Sequence, residues 1–314
     1  MHILVTGGAG FIGSNFIKKA LDSGLSVTVL DNLSPVLYSA EIKAGRINRL
    51  SSKYKFDFIE QDINASSLGV GTKSFDCIVN FAALPGQILS WTHFKEYSDS
   101  NFLGVESLIR NFALKSNIPF IQISTSSVYG KIAVGTEDSK LEPYSPYGVT
   151  KRAAEQLLSA YHENFGLDYT IFRLFSVFGA GQRPDMGVHK FLRAIHDQKP
   201  VTVFGEGSQI RSMTPVNAVT TSILKHILTM RDQKTERIFN LSGKSCVSVL
   251  ELIQMCESLI GKKAQLKFVP TPIGDQLNTF GDSSRAESIL GFDASTDIAS
   301  VLEEQYESIL QFGV

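Results

Sequence analysis

Short runs of apolar residues alternate with amphipathic stretches from the start of the chain. The runs are rich in β-branched and aromatic residues and are bounded by polar or helical segments, a pattern typical of buried strands. Strands are predicted at residues 2–5, 26–30, 56–59, 77–81, 120–124 and 169–173, with an apolar-periodic helix from residue 12 to about residue 22. Strands separated by helices connect through right-handed crossovers. We therefore expect an α/β fold in which the first 175 residues form a doubly wound parallel sheet.

The pattern changes after Phe175, where Gly and Pro interrupt short elements. Helices are predicted at residues 188–197 and 216–230, a buried strand at 237–241, and alternating helix and loop from Ser248 onward. We expect a smaller C-terminal lobe that is interleaved with the main sheet and is built from residues of about 176–215 and 243–314. A cleft between two such lobes is where a second ligand would bind.

Composition and charge narrow the classes of partner. The 314-residue chain has a formal net charge of −1 and a pI of about 6.6, so we expect neither nucleic acid nor an anionic membrane as a partner. Three scattered cysteines without a C-x-x-C motif argue against a disulfide scaffold and against a metal site. No apolar run approaches the about 20 residues of a membrane span. The N-terminus enters a strand without the features of a signal peptide, which indicates a cytoplasmic protein.

A glycine-rich turn follows the first strand and opens the first helix. Glycines in this position let the backbone approach a pyrophosphate, whose charge is met by N–H groups at the helix N-terminus. The predicted dinucleotide contacts in this turn are Gly7, Gly10, Phe11, Ile12 and Gly13. The sequence therefore predicts a Rossmann-type domain of residues 1–175 and about 216–242.

An acidic residue, Asp31, closes the second strand, 18 residues after Gly13. A carboxylate in this place can accept hydrogen bonds from the adenosine ribose and repel a 2′-phosphate. We therefore predict NAD, not NADP, as the cofactor. Asn32, beside Asp31, is a further candidate contact.

Two later strand ends are further candidate contacts of the cofactor. Asp62 and Ile63 follow the third strand, where a carboxylate can accept a hydrogen bond from the adenine amine. Ala82 and Ala83 end the fourth strand, where small residues let the nicotinamide ribose lie close to the backbone. Both stretches are equally well interpreted as ordinary strand ends.

Tyr147 and Lys151 are four residues apart, so on a helix they share one face. A free tyrosine has a pKa of about 10 and is a poor base at neutral pH. An ammonium about 4 Å away, at an effective dielectric near 20, stabilises a phenolate by roughly 4 kcal/mol, or about three pKa units. We predict that Tyr147 is the acid/base for oxidation of an alcohol, that Lys151 activates it, and that both contact the cofactor.

Hydroxyl side chains gather at the end of the fifth strand, at Thr125, Ser126 and Ser127. Ligands of open α/β sheets bind at this edge, so Thr125 is predicted to hold the substrate oxygen. Backbone capping is the alternative interpretation of hydroxyls at a turn.

Four segments together resemble the extended short-chain dehydrogenases of the NAD-dependent epimerase/dehydratase family, which act on nucleotide sugars. They are the glycine turn, Asp31 at the end of strand two, S-T-S-S-V-Y-G at 124–130 and S-P-Y-G-V-T-K at 145–151. The resemblance continues through R-L-F-S-V-F-G-A-G-Q-R-P-D-M to G-D-S-S-R-A near Gly281. It implies tightly held NAD, a homodimer, and a catalytic set of Thr125, Tyr147 and Lys151.

Smaller signs indicate a subgroup. The family's sugar 4,6-dehydratases carry an Asp-Glu pair where this chain has Ser126 and Ser127, and the segment Q-R-P-D-M, with Ser176 before it, is most similar to the UDP-glucuronate 4-epimerases. That resemblance implies that Thr125, Ser126 and Ser127 bind the sugar carboxylate and that Arg183 faces the same end of the substrate.

Two more matches concern the nucleotide. Arg211 resembles the family arginine that pairs with the diphosphate, and Asp275 resembles a nucleoside-binding acid, with ordinary surface charge as the alternative for both. The segment 212–218 departs from the family pattern, since two carboxylates and an aromatic are absent. The sugar therefore stays open. A UDP-hexose or UDP-N-acetylhexosamine 4-epimerase, a nucleotide-sugar decarboxylase or reductase, and a non-enzymatic NAD sensor or assembly partner are the alternatives.

Overall fold

The computed structural model describes residues 1–65, 67–71, 73–230, 236–295 and 297–314. Its strands, in chain order, are β1 (His2–Thr6), β2 (Ser26–Asp31), β3 (Asp57–Glu60), β4 (Cys77–Asn80), β5 (Phe120–Thr125), β6 (Ile132–Gly135), β7 (Tyr169–Leu174), β8 (Val177–Phe178), β9 (Pro200–Phe204), β10 (Ile210–Ser212), β11 (Thr214–Pro215), β12 (Ile238–Leu241), β13 (Cys246–Ser248), β14 (Gln265–Val269) and β15 (Asn278–Gly281).

The α-helices lie between these strands. In chain order they are α1 (Phe11–Asp22), α2 (Ala40–Ser51), α3 (Phe94–Ser98), α4 (Gly104–Leu108), α5 (Leu114–Ser116), α6 (Pro146–Phe165), α7 (Gly187–His196), α8 (Val216–Thr229), α9 (Val249–Ile260), α10 (Ser284–Leu290) and α11 (Ile298–Phe312). Single π-helical turns join α3, α4 and α5 into one helical run. Within the described ranges, no helix is long and apolar enough to span a bilayer.

The central sheet is parallel throughout and has the strand order β12-β7-β5-β4-β1-β2-β3. Every residue of β4, β5 and β7 is buried, as in strands that helices cover on both faces. Alternate residues of β1 supply two cores: Ile3 and Val5 pack in one with Phe16, and Leu4 packs in the other. The predicted doubly wound sheet is confirmed.

The strand order reverses at β1, which lies between β2 and β4. Ile3 pairs with Val27 on one side and with Cys77 on the other. Connections from the two sides leave in opposite directions at such a point, so a crevice opens at the carboxyl ends of the strands.

The C-terminal lobe carries smaller sheets. One has the order β13-β10-β15-β6, and two parallel pairs join β8 to β11 and β9 to β14. A separate core includes Leu192, Val203, Ile253 and Leu302. β6 comes early in the chain but pairs with β15 in this lobe, so the lobes are interleaved as predicted. The exact division into two sequence ranges stays a prediction, and residues 231–235 of the predicted cofactor domain lie outside the described part.

The prediction that only helix and loop follow Ser248 is wrong, because β14 and β15 lie in this region. Four of the five residues of β14 are exposed, so no buried apolar run marks it. β15 has four residues, and its partner β6 lies far away in the sequence. Short strands of this kind are specified by distant partners and give little local signal.

Candidate active site

A cleft of about 700 Å³ lies at the carboxyl ends of the central strands, between the sheet and the C-terminal lobe. All of the residues predicted as site residues line it: Gly7, Gly10, Phe11, Ile12, Gly13, Asp31, Asn32, Asp62, Ile63, Ala82, Ala83, Thr125, Ser126, Ser127, Tyr147, Lys151, Ser176, Arg183, Arg211 and Asp275. The structure therefore brings every one of the candidates together in one cleft, and their individual roles stay predictions.

The glycine turn is shaped by close backbone packing. Gly7 has a φ of +68°, and a Cβ on it would lie 2.4 Å from the backbone nitrogen of Ala82. A Cβ on Gly13 would lie 2.5 Å from the carbonyl oxygen of Gly7. Gly10 caps α1 without a side-chain hydrogen bond, so the amide groups of the first turn face the cleft free of a competing side chain. This donor set fits the pyrophosphate of NAD.

Asp31 is buried at the end of β2. Its two carboxylate oxygens accept hydrogen bonds from the backbone N–H groups of Ala9, at 2.9 Å, and Leu33, at 2.8 Å. Burial raises the pKa of Asp31, and nearby Lys43 opposes that shift. The glycine turn and Asp31 are thus held together by hydrogen bonds, an arrangement that also fits NAD.

The two candidate adenosine contacts are bonded to each other. Asn32 donates from Nδ2 to Oδ2 of Asp62 at 2.7 Å, and the other oxygen of Asp62 accepts from the backbone N–H of Asn64 at 2.8 Å. Ile63, next in the chain, packs under Gly104, where a Cβ would lie 2.2 Å from its Cδ1. This end of the cleft is therefore lined by the polar side chains of Asn32 and Asp62 on one side and by the apolar side chain of Ile63 on another.

Lys43 lines the same end and was not predicted from the sequence. Its Nζ donates to the carbonyl oxygen of Ser34 at 2.6 Å. Burial lowers the pKa of Lys43, and the charge of Asp31 opposes the shift. A lysine in an amphipathic helix carries no local signal, so only the packing of α2 against the turn reveals it.

Tyr147 lies in the first turn of α6. Ser145 caps this helix by accepting from the N–H of Gly148 at 3.2 Å, and Pro146 occupies the first helical position. The ring of Tyr147 meets Tyr97 edge to face, with the ring centroids 6.1 Å apart. The start of α6 is therefore fixed by its own sequence, and the phenol is placed in the cleft.

The electrostatics of Tyr147 differ from the prediction. Burial raises its pKa, while a hydrogen bond with Thr125 and the charge of Arg183 act in the opposite direction. The prediction that Lys151 would lower the pKa of Tyr147 was wrong for the protein without its cofactor, because the prediction did not include the effect of burial. Burial also lowers the pKa of Lys151 to about 8, with the charge of Glu155 opposing the shift.

Lys151 is tied to the end of β5. Its Nζ donates to the carbonyl oxygen of Ile123 at 2.5 Å. Thr125 follows two residues later, and its Oγ1 accepts from the N–H of Ser127 at 3.1 Å. Thr125 therefore caps the turn, and its hydrogen bond with Tyr147 acts to lower the pKa of that phenol. The predicted role of Thr125 in holding a substrate oxygen stays a prediction.

The turn after β5 packs tightly on α6. Ser126 and Ser127 are buried in a single 3₁₀ turn, and a Cβ on Gly148 would lie 2.6 Å from the carbonyl oxygen of Ser127. Glycine is needed at 148 for this close approach. Three hydroxyls and the phenol are thus gathered at one place.

Arg183 lies at the same end of the cleft and forms a bidentate pair with Asp185. Its Nε and Nη2 donate to the two carboxylate oxygens at 3.0 and 2.7 Å. Across the cleft, the hydroxyl of Ser176 lies 3.3 Å from that of Thr279. Arg183 is therefore oriented before any ligand binds.

Arg211 and Asp275 are paired at 3.3 Å. Arg211 also donates to the backbone carbonyl oxygens of Gln276 and Leu277, at 2.8 and 3.1 Å. Burial raises the pKa of Asp275, and Arg211 opposes that shift. The predicted nucleotide contacts therefore hold the loop of residues 275–277 against β10.

A buried polar network supports the site from behind. Glu155 accepts from Arg173 at 3.1 and 2.8 Å and from the hydroxyl of Ser124 at 2.6 Å. Arg173 also donates to the hydroxyl of Tyr129 at 2.8 Å. This network joins α6 to β5 and β7, and it leaves Lys151 one helical turn from a buried carboxylate. Among the described residues, no group of His, Cys, Asp or Glu could hold a metal ion.

Comparisons with known proteins agree with this geometry. Residues 3–242 match the NAD dependent epimerase/dehydratase family. The chain is 34% identical over 309 residues to an uncharacterised UDP-glucose epimerase, YtcB, of Bacillus subtilis (strain 168), covering 97% of this chain and 96% of the relative. It is 33% identical over 311 residues to the UDP-glucuronate 4-epimerase of Thermodesulfobacterium geofontis, covering 96% of this chain and 94% of the relative.

Solved structures give the same picture. The UDP-glucuronic acid 4-epimerase of Bacillus cereus, in complex with UDP-glucuronic acid and NAD, superposes with a TM-score of 0.92 at 34% identity, covering 99% of each chain. MoeE5, in complex with UDP-glucose and NAD, superposes with a TM-score of 0.87 at 32% identity, covering 100% of each chain.

Proposed function

The chain belongs to the NAD-dependent epimerase/dehydratase family, and we propose that it is a nucleotide-sugar 4-epimerase that interconverts UDP-glucuronate and UDP-galacturonate. The observation that carries the proposal is one cleft in which Tyr147, Lys151 and three buried hydroxyls stand beside Arg183. Serines at 126 and 127 provide hydroxyls and no acids, which suits epimerisation better than loss of water. The relatives named above include enzymes for the same substrate.

NAD would be held by the glycine turn and Asp31, and when bound it supplies the acceptor for the hydride of C4 and the donor that returns it. Tyr147 takes the proton of the C4 hydroxyl as that carbon is oxidised and gives it back when the carbon is reduced. Thr125 bonds with Tyr147 and orients the same hydroxyl. In the NAD-bound protein, we assign to the Lys151 ammonium, fixed at the Ile123 carbonyl, the support of a phenolate that burial disfavours.

Oxidation of C4 in a glucuronate creates a β-keto acid, which readily loses carbon dioxide. Several hydrogen bonds to the carboxylate can hold its C–C bond out of line with the ketone and so suppress that loss. Thr125, Ser126 and Ser127 supply hydroxyl donors, and the oriented guanidinium of Arg183 supplies charge at the same end. We assign restraint of the carboxylate to these side chains.

The test is incubation of the purified, NAD-loaded protein with UDP-glucuronate, followed by NMR of the sugar. We expect UDP-galacturonate to form without net production of NADH. Accumulation of NADH with a 4-keto pentose would indicate a decarboxylase instead, and an unchanged sugar would exclude this substrate.

A neutral UDP-hexose is the second candidate, and one observation favours it. Asp185 neutralises much of the charge of Arg183, which weakens the case for an anionic sugar. UDP-glucose in a parallel reaction tests this candidate, and the ratio of the two kcat/KM values decides between them.

We also propose a homodimer that acts in the cytoplasm. Support comes from exposed apolar side chains on neighbouring helices, at Phe94, Leu103 and Val149, since exposed apolar patches mark interaction sites. Light scattering during size-exclusion chromatography measures the oligomer directly, and a monomer at micromolar concentration would contradict it.

A further inference from the structure

Two glutamine side chains connect the substrate hydroxyls to the C-terminal lobe. Gln276 is 5% exposed and lies next to Asp275 in the loop that Arg211 holds. Its Nε2 donates to the carbonyl oxygen of Gly130 at 2.7 Å and to that of Ser126 at 3.4 Å. A backbone carbonyl only accepts hydrogen bonds, so these two oxygens fix which way the Gln276 amide faces.

The orientation of Gln276 determines that of Gln87. With its amino group toward the carbonyls, Gln276 presents Oε1 to Gln87, whose Nε2 donates to it at 3.0 Å. The same Nε2 donates to Oγ of Ser127 at 3.2 Å. An amide amino group has two hydrogens, and both hydrogens of Gln87 are thereby used.

Ser127 is the last member of this chain of hydrogen bonds. Its Oγ accepts from Gln87, so the hydroxyl hydrogen must point away from Gln87 and is left to donate. Ser127 lines the cleft beside Thr125 and Tyr147. A hydroxyl set as a donor matches a carboxylate, which only accepts, better than a sugar hydroxyl that must also place its own hydrogen.

We infer that Gln276 and Gln87 are positioning residues that set the Ser127 hydroxyl as a donor and thereby favour a sugar carrying a carboxylate. The inference rests on the proposed function and deepens it, because it assigns part of the substrate preference to two residues outside the catalytic set. We call the chain of hydrogen bonds from Gln276 through Gln87 to Ser127 the glutamine relay. Its orientation is set by the backbone carbonyls of Gly130 and Ser126, which can only accept hydrogen bonds.

The relay also reaches the nucleotide end of the cleft. The carbonyl oxygen of Gln276 accepts from Arg211 at 2.8 Å, while its side chain supports Ser127 through Gln87. The loop that carries the predicted nucleotide contacts thus carries the anchor of the sugar contact as well.

The test uses variants that remove hydrogen bonds without adding charge. Gln87→Leu removes the donor to Ser127, Gln276→Met removes the anchor at similar volume, and Ser127→Ala removes the hydroxyl itself. Calorimetry on the NAD-loaded proteins gives the Kd for UDP-glucuronate, UDP-glucose and UDP. We expect each single variant to bind UDP-glucuronate about tenfold more weakly, as for loss of a hydrogen bond to a charged group, and to bind UDP-glucose and UDP within about twofold of the wild type.

A double-mutant cycle separates positioning from a merely structural role. In the Ser127→Ala background, Gln87→Leu should change the Kd for UDP-glucuronate by less than about twofold, because the group that it orients is gone. Additive losses, or equal losses for UDP alone, would overturn the inference. Gln254→Met, an exposed glutamine on α9, is the matched control.

Failure of the proposed function gives a different result. If the wild type binds UDP-glucuronate in preference to UDP-glucose but does not epimerise it, the proposed reaction fails, while the binding cycle still decides the relay. If the wild type binds both sugars equally well, the relay confers no preference and the inference is overturned.

Discussion

Lys151 donates to the carbonyl oxygen of Ile123 across 2.5 Å, which fixes this lysine near the end of β5, the strand that leads into the hydroxyls of Thr125, Ser126 and Ser127. Lys151 is buried, and burial lowers the pKa of its ammonium to about 8. Protonation of Lys151 therefore changes within the pH range in which the enzyme would be assayed.

The first prediction concerns pH. The charged form of Lys151 is present below its pKa of about 8 and is lost as the pH rises through it, so kcat/KM should fall above about pH 8. The charge of Glu155 raises the pKa of Lys151, so Glu155→Gln should move this descending limb to lower pH. Initial rates from pH 6 to pH 10 measure the descending limb in the wild type and in Glu155→Gln, and Glu163→Gln, an exposed change on the same helix, should leave the profile in place.

The same shift makes a prediction for stability. The folded pKa of Lys151 lies below its ordinary value of 10.5, so between about pH 8 and pH 10.5 the unfolded chain binds more protons than the folded one. Relative to Lys151→Met, the wild type should gain stability as the pH rises through that window. Urea unfolding at pH 7.5 and pH 10 measures the free energy of unfolding of both proteins. If the wild type lost stability relative to the variant between these pH values, the lowered pKa of Lys151 would be contradicted.

The buried pair of Glu155 and Arg173 should be costly to break on one side. Glu155→Gln leaves the buried Arg173 without a charged partner, and Arg173→Met leaves Glu155 with only the longer pair to Arg152 at 3.4 Å. Breaking a buried pair on one side costs about 3–5 kcal/mol. The double variant should lose less than the sum of the two single variants. Chemical denaturation of the wild type, the two single variants and the double variant gives the coupling free energy between Glu155 and Arg173. If the two single losses simply add in the double variant, the pair has no coupling free energy.

Tyr147→Phe should strongly slow epimerisation and leave the bound cofactor in place. Loss of a general base typically costs about 10²–10⁴-fold in rate, while the ring still packs against Tyr97. The measurements are kcat by NMR and bound NAD by absorbance after denaturation. Tyr161→Phe on the same helix removes a hydroxyl that lies 3.3 Å from Glu106 and should keep full activity.

Gly7→Ala and Gly24→Ala form a matched pair. Both glycines have positive φ, +68° and +78°, but a Cβ on Gly24 meets nothing within 4 Å, whereas one on Gly7 would lie 2.4 Å from Ala82. Gly24→Ala should cost only the backbone strain, about 1–2 kcal/mol. Gly7→Ala should cost more and lose NAD, as read from thermal unfolding with and without added NAD. Equal costs would show that the close approach to Ala82 is unimportant.

Asp31→Asn should weaken NAD and relax the exclusion of NADP. The change removes the charge and replaces one of the two accepting oxygens with an amide nitrogen that only donates. We therefore expect a loss of about tenfold or more in NAD affinity. Affinity for NADPH should fall less or rise, since the repelling charge is gone. Fluorescence titration with NADH and NADPH measures the ratio, with the surface variant Asp57→Asn as the control.

The sequence allowed prediction of those parts of the site that local pattern controls. The glycine turn, Asp31, and the Tyr147 and Lys151 pair each lie within one turn or helix, and the strands that carry them are continuous apolar runs. Lys43, Gln87 and Gln276 escaped prediction because residues distant in the chain bring them to the cleft. The pKa of Tyr147 was misjudged for a related reason, since the spacing of two residues says nothing about how deeply they are buried.

The position of β6 has a consequence for engineering. This strand follows directly from the hydroxyl turn, yet it completes a sheet of the C-terminal lobe by pairing Ile132 with Asn278 and Gly135 with Gly281. A chimera that takes the C-terminal lobe from a relative must therefore import a matching segment at 132–135 as well. Recombination at a single junction would leave an orphaned strand edge, so sugar preference in this protein is better altered by point changes than by exchange of lobes.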